Sequence, residues 1–236
     1  MGIKAYEACS KFNRAARSGP FRAGCRSAGR LLLSLCVVPN KGFGQILPQQ
    51  NELFSLDILS TCPMSLTLIM GSMYSGKTTA LIKQVQELRQ LGLKCLVVNH
   101  ENDSRVEGPA VRTHDGQRCA AVKTATLDGL CTMGYDVVAI DEGQFFSNLK
   151  ALVMHMVEHN GLHVVVAGLN GDYLRRPFGE MLDLVPMADQ VEWLRAQCGE
   201  CEGRAAFTKR VSDETAKVSV ESRYKPVCRM CYVTAK

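Results

Sequence analysis

The chain has 236 residues, of which 46% are apolar and 22% charged, and this length and composition fit one globular domain or a domain with a small module attached. Its longest apolar run, residues 31–38, is much shorter than the roughly 18 to 20 residues needed to span a bilayer, which argues against a membrane protein. The formal charge of +5 comes from residues 1–63, with eight basic and three acidic side chains, and the balanced remainder, with 20 of each, lacks the basic footprint of a nucleic-acid-binding protein.

Residues 1–63 are interpreted as a basic N-terminal extension without regular periodicity. Scattered arginine, serine, glycine and alanine, with one acidic residue before position 52, resemble an organelle transit peptide. The alternative is a disordered tail or sequence upstream of the native start, because Met64 stands directly before the first predicted strand. We expect a disordered tail or upstream sequence, and therefore a cytoplasmic protein. A real transit peptide would instead indicate a mitochondrion or plastid.

Four apolar segments after residue 64 predict the strands of a sheet. They are residues 65–70 (SLTLIM), 94–99 (KCLVVN), 135–141 (YDVVAID) and 163–169 (HVVVAGL). One helix is predicted to follow residues 71–78 and to end at Gly92, and another to begin at Ser147 as its N-cap and end near Asn160. Continuous apolar strands that alternate with helices indicate an α/β fold, a parallel sheet with helices on both faces. We place this domain at residues 64–190.

A glycine-rich turn after the first strand matches the pattern GxxxxGK[ST] at every fixed position. Its residues are Gly71, Ser72, Met73, Tyr74, Ser75, Gly76, Lys77 and Thr78. Between a strand and a helix, such a turn directs backbone N–H groups and the positive end of the helix at phosphate oxygens. We therefore predict that it binds ATP, with Lys77 at the β- and γ-phosphates and Thr78 at the accompanying Mg²⁺.

Two adjacent acidic residues, Asp141 and Glu142, end the third predicted strand, at the edge where ligands bind in open α/β sheets. Adjacent side chains near a strand end point in different directions, so one carboxylate can face a metal ion and the other an acceptor pocket. We assign Asp141 to Mg²⁺ and Glu142 to the base that takes the proton of an alcohol. The alternatives are a capping role for Asp141 and a solvated position for Glu142.

Four of the eleven cysteines form two CxxC pairs, Cys198 with Cys201 and Cys228 with Cys231, separated by 26 residues. Four thiolates saturate a tetrahedral Zn²⁺ and leave no position for water, so the pairs predict a structural zinc site. Disulfides or free thiols are the alternative, and a reducing compartment would disfavour the disulfides. The other seven cysteines are interpreted as buried apolar residues. We place a zinc-ribbon domain at residues 191–236.

Several motifs in a fixed order resemble the cytosolic-type thymidine kinase family. They are GSMYSGKTT, HENDSR, RTHD, IDEGQFF, GLNGDYLRRPFG, AFTKR and the two CxxC pairs, which together cover about residues 66–233. The resemblance implies a P-loop α/β domain joined to a zinc-binding lasso domain. It also implies an enzyme that transfers the γ-phosphate of ATP to the 5′-hydroxyl of thymidine, giving dTMP and ADP in pyrimidine salvage for DNA synthesis.

The resemblance also implies roles for individual residues in phosphoryl transfer. Glu142 matches the residue that takes the proton from the 5′-hydroxyl, and Arg105 matches an arginine near the transferred phosphoryl group, where a fixed guanidinium stabilises developing charge. Together with Lys77 they are the predicted catalytic residues. A backbone segment is implied to lie beside the ATP site, namely Asp141, Glu142, Gly143 and Gln144.

The implied nucleoside pocket has aromatic walls. Phe145 and Tyr173 match positions that line the thymine pocket, and Tyr224 matches the lasso tyrosine that closes over the nucleoside. The positions near the 5-methyl group of the base are Met73, Leu169 and Thr208. Three features depart from the family: Tyr173 replaces the phenylalanine usual in animals, Ser72 replaces a common proline, and residues 217–223 lack a Gly-Gly pair.

The expected partners are thymidine and ATP, and the resemblance alone implies a homotetramer. A kinase of another nucleoside, such as deoxyuridine or deoxycytidine, is the first alternative. A P-loop ATPase whose zinc ribbon binds nucleic acid is the second. The balanced charge after residue 63 argues against the second alternative.

Overall fold

The computed structural model describes residues 64–103, 110–112, 118–211 and 224–234. The predicted N-terminal extension lies outside these residues, as do Arg105 and residues 217–223. In chain order, the elements are β1 (Ser65–Gly71), α1 (Lys77–Gln90), β2 (Cys95–His100), β3 (Ala110–Arg112), β4 (Arg118–Ala120), β5 (Val122–Thr124), β6 (Val137–Asp141), α2 (Leu149–Met154), β7 (His163–Leu169), β8 (Gln190–Leu194), β9 (Ala196–Gln197), β10 (Arg204–Ala205), β11 (Phe207–Arg210), β12 (Tyr224–Val227) and α3 (Arg229–Thr234). Short 3₁₀ helices lie at Gly143–Phe145 and Leu182–Met187.

Six strands form one sheet in the order β5-β2-β6-β7-β1-β8. All five neighbouring pairs are parallel, as the continuous apolar runs predicted. The four predicted strands are β1, β2, β6 and β7, the central strands of this sheet, and β7 has the predicted bounds. The prediction missed the two edge strands, β5 and β8, because their side chains are only partly buried and their apolar runs are short.

Successive side chains of the central strands enter two different cores. Leu68 of β1 and Val166 of β7 lie in one core with Leu149 of α2. Their chain neighbours Ile69 and Val165 lie in the other core, against α1. This alternation, with a helix over each face, is the predicted doubly covered sheet.

The helix predicted from Ser147 to about Asn160 differs in its start and its form. Asn148 precedes the first turn with a left-handed φ of 56°, a conformation that asparagine tolerates, and no side-chain hydrogen bond caps the helix there. The α-helical part ends at Met154, and a π-helix continues it over His155–His159. The prediction that Ser147 is the N-cap of this helix was therefore wrong. The predicted end of the other helix is confirmed, because Gly92 follows α1 with a φ of 85°.

The remaining strands and α3 form what we call the cysteine module, residues 196–211 and 224–234. It contains two antiparallel strand pairs, β9 with β10 and β11 with β12. A small core holds them together, with Ala205 and Val227 fully buried. Because β8 belongs to the main sheet, the predicted boundary at residue 190 is too early, and the module begins after Leu194. Within the described ranges, no helix has the length and apolarity required to cross a membrane.

Candidate functional site

The candidate site lies at the edge of the sheet where the parallel strands end. β1 ends at Gly71, β2 at His100, β6 at Asp141 and β7 at Leu169, so their following loops meet at this edge. In open α/β sheets this edge is where ligands bind. The predicted phosphate loop, the two adjacent acids and Leu169 all belong to it.

The phosphate loop, residues 71–78, has the backbone that its glycines predicted. A Cβ on Gly71 would lie 2.5 Å from the Leu194 carbonyl oxygen, so the close approach of the chain requires glycine there. Gly76 has a φ of 86° and directly precedes α1, and no side-chain hydrogen bond caps that helix. Its first-turn N–H groups and positive dipole end are therefore available to an anion.

Two polar groups of this loop are buried. The Lys77 amine is buried and donates a hydrogen bond to the Ser72 carbonyl oxygen at 2.8 Å. The Ser75 hydroxyl is also buried, and it has no hydrogen-bond partner within the described part of the chain. A buried unsatisfied hydroxyl and a buried ammonium group in one loop fit a loop that receives phosphate oxygens.

Thr78 and Asp141 meet across the edge of the sheet, as the sequence prediction required. The Thr78 hydroxyl donates to the Asp141 carboxylate, at 3.0 Å from Oδ2 and 3.3 Å from Oδ1. Asp141 is almost fully buried. A hydroxyl and a carboxylate are ligands that Mg²⁺ accepts, so this pair fits the predicted metal position.

The carboxylate of Glu142 is oriented by a side chain that the sequence analysis treated only as backbone. The amide Nε2 of Gln144 donates to Glu142 Oε2 at 2.6 Å, while Gln144 Oε1 accepts from the Leu169 N–H at 2.9 Å. Glu142 has a left-handed φ of 55°, which starts the 3₁₀ turn. Gln144 thus connects the end of β7 to the candidate base. The glutamine of the IDEGQFF motif is the sequence signal that could have identified this residue.

A third acid, Asp103, lies beside this pair. One carboxylate oxygen from each of Asp103, Asp141 and Glu142 lies within 4.8 Å of the other two. The buried Asn99 amide donates to Asp103 Oδ2 at 2.9 Å, which fixes the orientation of that carboxylate. The sequence analysis did not single out Asp103, although it belongs to the HENDSR motif.

The segment that follows Glu142 in the chain carries aromatic side chains that contact other rings. The rings of Phe145 and Phe178 meet edge to face with centroids 5.5 Å apart. His100, at the end of β2, lies 5.6 Å from the Phe145 ring and 4.7 Å from the Phe146 ring. Burial lowers the pKa of His100, which favours a neutral imidazole against these rings. Phe178 and His100 are site residues that the sequence analysis missed.

The cysteine module contacts the phosphate loop directly. The Met73 N–H donates to the hydroxyl of Thr208 at 3.0 Å, and Thr208 is nearly fully buried on β11. The structure therefore brings together Met73 and Thr208, which were both predicted to lie near the 5-methyl group of the base. Tyr173 and Tyr224, two further predicted residues, are joined through Arg210.

The four cysteines of the CxxC pairs form a single cluster. Their sulfur atoms lie within 4.8 Å of one another, and all four thiols are free. The backbone N–H of Cys228 lies 3.3 Å from Cys198 Sγ and lowers the pKa of Cys198 to about 6, whereas the neighbouring thiols raise the pKa of Cys231 to about 12. Four unbridged thiols this close together fit the donor set of a tetrahedral zinc site.

The other described cysteines only partly fit the interpretation as buried apolar residues. Cys95 and Cys119 are buried, and Cys95 lies at the start of β2. Cys131 is exposed, so the interpretation was wrong for this residue. It lies in the connection between β5 and β6, where residues 133–136 are exposed as well.

Comparison with known proteins agrees with this arrangement. Residues 64–232 match the family model described as thymidine kinase. The chain is 41% identical over 169 residues to the thymidine kinase of Myxoma virus (strain Uriarra), covering 70% of this chain and 94% of the viral protein. It is 39% identical over 181 residues to the thymidine kinase of Oryza sativa subsp. japonica, covering 72% of this chain and 67% of the rice protein.

Proposed function

Because the chain belongs to the thymidine kinase family, we propose that it transfers the γ-phosphate of ATP to the 5′-hydroxyl of thymidine, giving dTMP and ADP in pyrimidine salvage for DNA synthesis. The observation that carries the proposal is the convergence of a phosphate loop, a Thr78–Asp141 pair and an oriented Glu142 at one edge of the sheet. Phosphoryl transfer depends mainly on positioning and electrostatic stabilisation, which such a convergence supplies.

The phosphate loop would bind the ATP phosphates. Backbone N–H groups at the start of α1 and the Lys77 ammonium oppose the negative charge of the phosphates. Arg105, which lies outside the described residues, is proposed to stabilise charge on the transferred group. The backbone of residues 141–144 is proposed to lie beside the bound ATP.

Thr78 and Asp141 would hold Mg²⁺, because both oxygens already lie within hydrogen-bond distance of each other at the end of β6. When bound, the ion neutralises charge on the β- and γ-phosphates. The nearby Asp103 carboxylate adds a third negative group to this region, which favours a cation there.

Glu142 would act as the base. The 5′-oxygen of thymidine attacks the γ-phosphorus, the bond to the β–γ bridging oxygen breaks, ADP leaves, and the hydroxyl proton passes to the Glu142 carboxylate. Gln144 donates a hydrogen bond to one carboxylate oxygen of Glu142 and so orients the carboxylate at this edge of the sheet. The orientation is set before substrate binds, which reduces the entropy lost on reaching the transition state.

The nucleoside would lie between side chains of the sheet edge and of the cysteine module. Phe145 and Tyr173 are proposed as aromatic walls, and Tyr224 as the side chain that closes over the nucleoside. Proposed neighbours of the 5-methyl group are Met73, Leu169 and Thr208. The hydrogen bond between Met73 and Thr208 supports a shared recess for two of these positions.

The cysteine cluster is proposed to hold one structural Zn²⁺. Cys198 and Cys201 follow β9, Cys228 directly precedes α3 and Cys231 lies within it, so one ion would join both ends of the module. All four donors come from the protein, which leaves no open position for chemistry. A homotetramer is proposed on the family resemblance alone, and the cytoplasmic location remains a proposal.

The direct test is thymidine-stimulated release of ADP by the purified full chain with ATP and Mg²⁺, with dTMP identified by mass spectrometry. Deoxyuridine, deoxycytidine and single-stranded DNA are tested in parallel, and a Lys77→Ala variant controls for contaminating kinases. We expect thymidine to give the highest kcat/KM. The proposal is lost if thymidine gives no stimulation while DNA or another nucleoside does.

A further inference from the structure

Arg210, the last residue of β11, touches two aromatic side chains that come from different parts of the fold. Its guanidinium carbon lies 3.9 Å from the centroid of the Tyr173 ring, which belongs to the loop after β7. Its Nη2 donates a hydrogen bond to the hydroxyl of Tyr224 at 2.8 Å, and Tyr224 belongs to β12. One side chain therefore joins the sheet domain to the cysteine module at two aromatic residues.

The backbone that carries Tyr173 is fixed by other contacts. The Asp172 carboxylate accepts hydrogen bonds from the N–H groups of Leu174 and Arg176, at 2.9 and 2.8 Å, and closes a tight turn. The hydroxyl of Tyr232, on α3, donates to the Tyr173 carbonyl oxygen at 2.8 Å. The main chain is thus held by the turn and by α3, whereas the face of the ring is covered by Arg210.

Strand geometry places Arg210 on the side of β11 that meets the phosphate loop. Thr208 and Arg210 are two residues apart, so their side chains leave β11 on the same face. Thr208 accepts a hydrogen bond from Met73 of the phosphate loop on that face. Arg210 is therefore aligned with the side of the module that borders the candidate site.

The guanidinium group suits this double contact for a specific reason. Its planar face stacks on an aromatic ring while its edge donates hydrogen bonds in the same plane, and it stays charged at any physiological pH. A lysine ammonium has no planar face and cannot make both contacts in the same geometry. The arrangement thus depends on the shape of the side chain as well as on its charge.

We propose that Arg210 is a positioning residue for the nucleoside: by holding the Tyr173 ring and the Tyr224 hydroxyl together, it presents both aromatic side chains to the base as one preformed wall. The inference rests on the proposed function, which assigns both tyrosines to the nucleoside site. Arg210 acts through the tyrosines and not on the reacting atoms. Its loss should weaken nucleoside binding, because each ring must then be ordered when the substrate binds.

Steady-state kinetics of five variants test this role. Arg210→Gln should raise the KM for thymidine about tenfold, while kcat and the KM for ATP stay within roughly twofold of the wild type. Arg210→Lys should not restore the KM, because the planar contact is missing. Tyr224→Phe removes one hydroxyl, and combining it with Arg210→Gln should raise the KM by less than the product of the two single effects. Arg204→Gln, an exposed arginine of the same module, is the matched control and should behave as wild type.

A purely structural role predicts a different result. Loss of folded protein lowers kcat through the active fraction and leaves the KM for thymidine unchanged, and that outcome would overturn the inference. A raised KM for ATP, multiplicative effects in the double variant, or full restoration by lysine would overturn it as well. If Arg210→Gln does not fold, Tyr224→Phe decides alone, and an unchanged KM for thymidine in it rejects the proposal. A wild type inactive on thymidine defeats the proposed function itself, and the inference falls with it.

Discussion

At the residue scale, the orientation of Glu142 depends on a side chain two positions further along the chain. The amide oxygen of Gln144 accepts a hydrogen bond from the Leu169 N–H, and the amide nitrogen donates one to the Glu142 carboxylate. The carboxylate is therefore connected to the end of β7. The amide cannot be reversed without placing two donors against each other. The direction of the candidate base is therefore fixed by the sheet.

Replacing Glu142 by glutamine should separate binding from chemistry. The amide of the variant still accepts a hydrogen bond from Gln144 but cannot take a proton, so kcat should fall by about 10² to 10⁴-fold. ATP binding, measured by titration of a fluorescent analogue, should change little. Glu87→Gln is the control, at a partly exposed position of α1 where the carboxylate pairs with Lys83. A kcat within threefold of the wild type would remove Glu142 as the base.

A buried histidine at the opposite edge of the sheet makes stability depend on pH. His163 is nearly inaccessible and lies 2.7 Å from the Ser65 hydroxyl, and burial lowers its pKa from 6.5 to about 4. Between these values the unfolded chain binds a proton that the folded chain does not. The stabilising effect of the neutral ring is complete above pH 6.5 and is lost as the pH falls towards 4, by about 3 kcal/mol in total.

Urea unfolding of wild type and His163→Asn at several pH values checks this linkage. The free energy of unfolding of the variant relative to wild type should rise as the pH falls from 7 to 5. Taking this difference removes changes common to both proteins, such as protonation of the cysteine cluster. A difference that is constant across this range would show that His163 titrates alike in both states.

At the element scale, the 3₁₀ turn Gly143–Phe145 is wedged against β7 and leaves no room for a side chain at its first residue. A Cβ on Gly143 would lie 2.7 Å from Val166 Cγ1 and 2.8 Å from Met181 Sδ. Both neighbours belong to a fully buried core, so they have little space to move away. The glycine therefore allows the turn that follows Glu142, the candidate base, to pack closely against β7.

Gly143→Ala should destabilise the protein by about 1 to 3 kcal/mol through overpacking. It should also reduce kcat, because the turn that carries Glu142 must shift. The control is Gly199→Ala, where the nearest atom to an added Cβ lies at an ordinary 3.4 Å. Thermal unfolding and steady-state rates measure both effects. Equal melting temperatures for the two variants would contradict the wedge.

The central elements could be predicted because local pattern and burial agree in them. Continuous apolar runs identified β1, β2, β6 and β7, and the glycine spacing identified the phosphate loop. The edge strand β8 could not be recognised, because one face of an edge strand is exposed and its sequence alternates. Gln144 as the orienting residue depends on a contact between the ends of β6 and β7, which no spacing along the chain reveals.

At the scale of the whole molecule, the cysteine module is connected to the site at several separate points. Thr208 contacts the phosphate loop, Tyr232 holds the Tyr173 carbonyl, and Arg210 joins the two tyrosines. Tyr232 directly follows Cys231 in α3, so the cysteine cluster lies one residue from a contact with the loop that carries Tyr173. The state of the cluster should therefore influence nucleoside binding more than ATP binding.

The proposed zinc site gives the clearest test of this connection. Wild type should contain about one zinc per chain, and Cys198→Ser should lose it. Because metal binding is coupled to folding of the module, Cys198→Ser should unfold at a lower temperature and bind thymidine more weakly. Cys131→Ser, which removes an exposed thiol outside the cluster, should keep both its zinc and its melting temperature.

Zinc content is measured by mass spectrometry and thymidine binding by calorimetry. Metal-free wild type with full stability and full thymidine affinity would exclude both the zinc site and its coupling to the nucleoside.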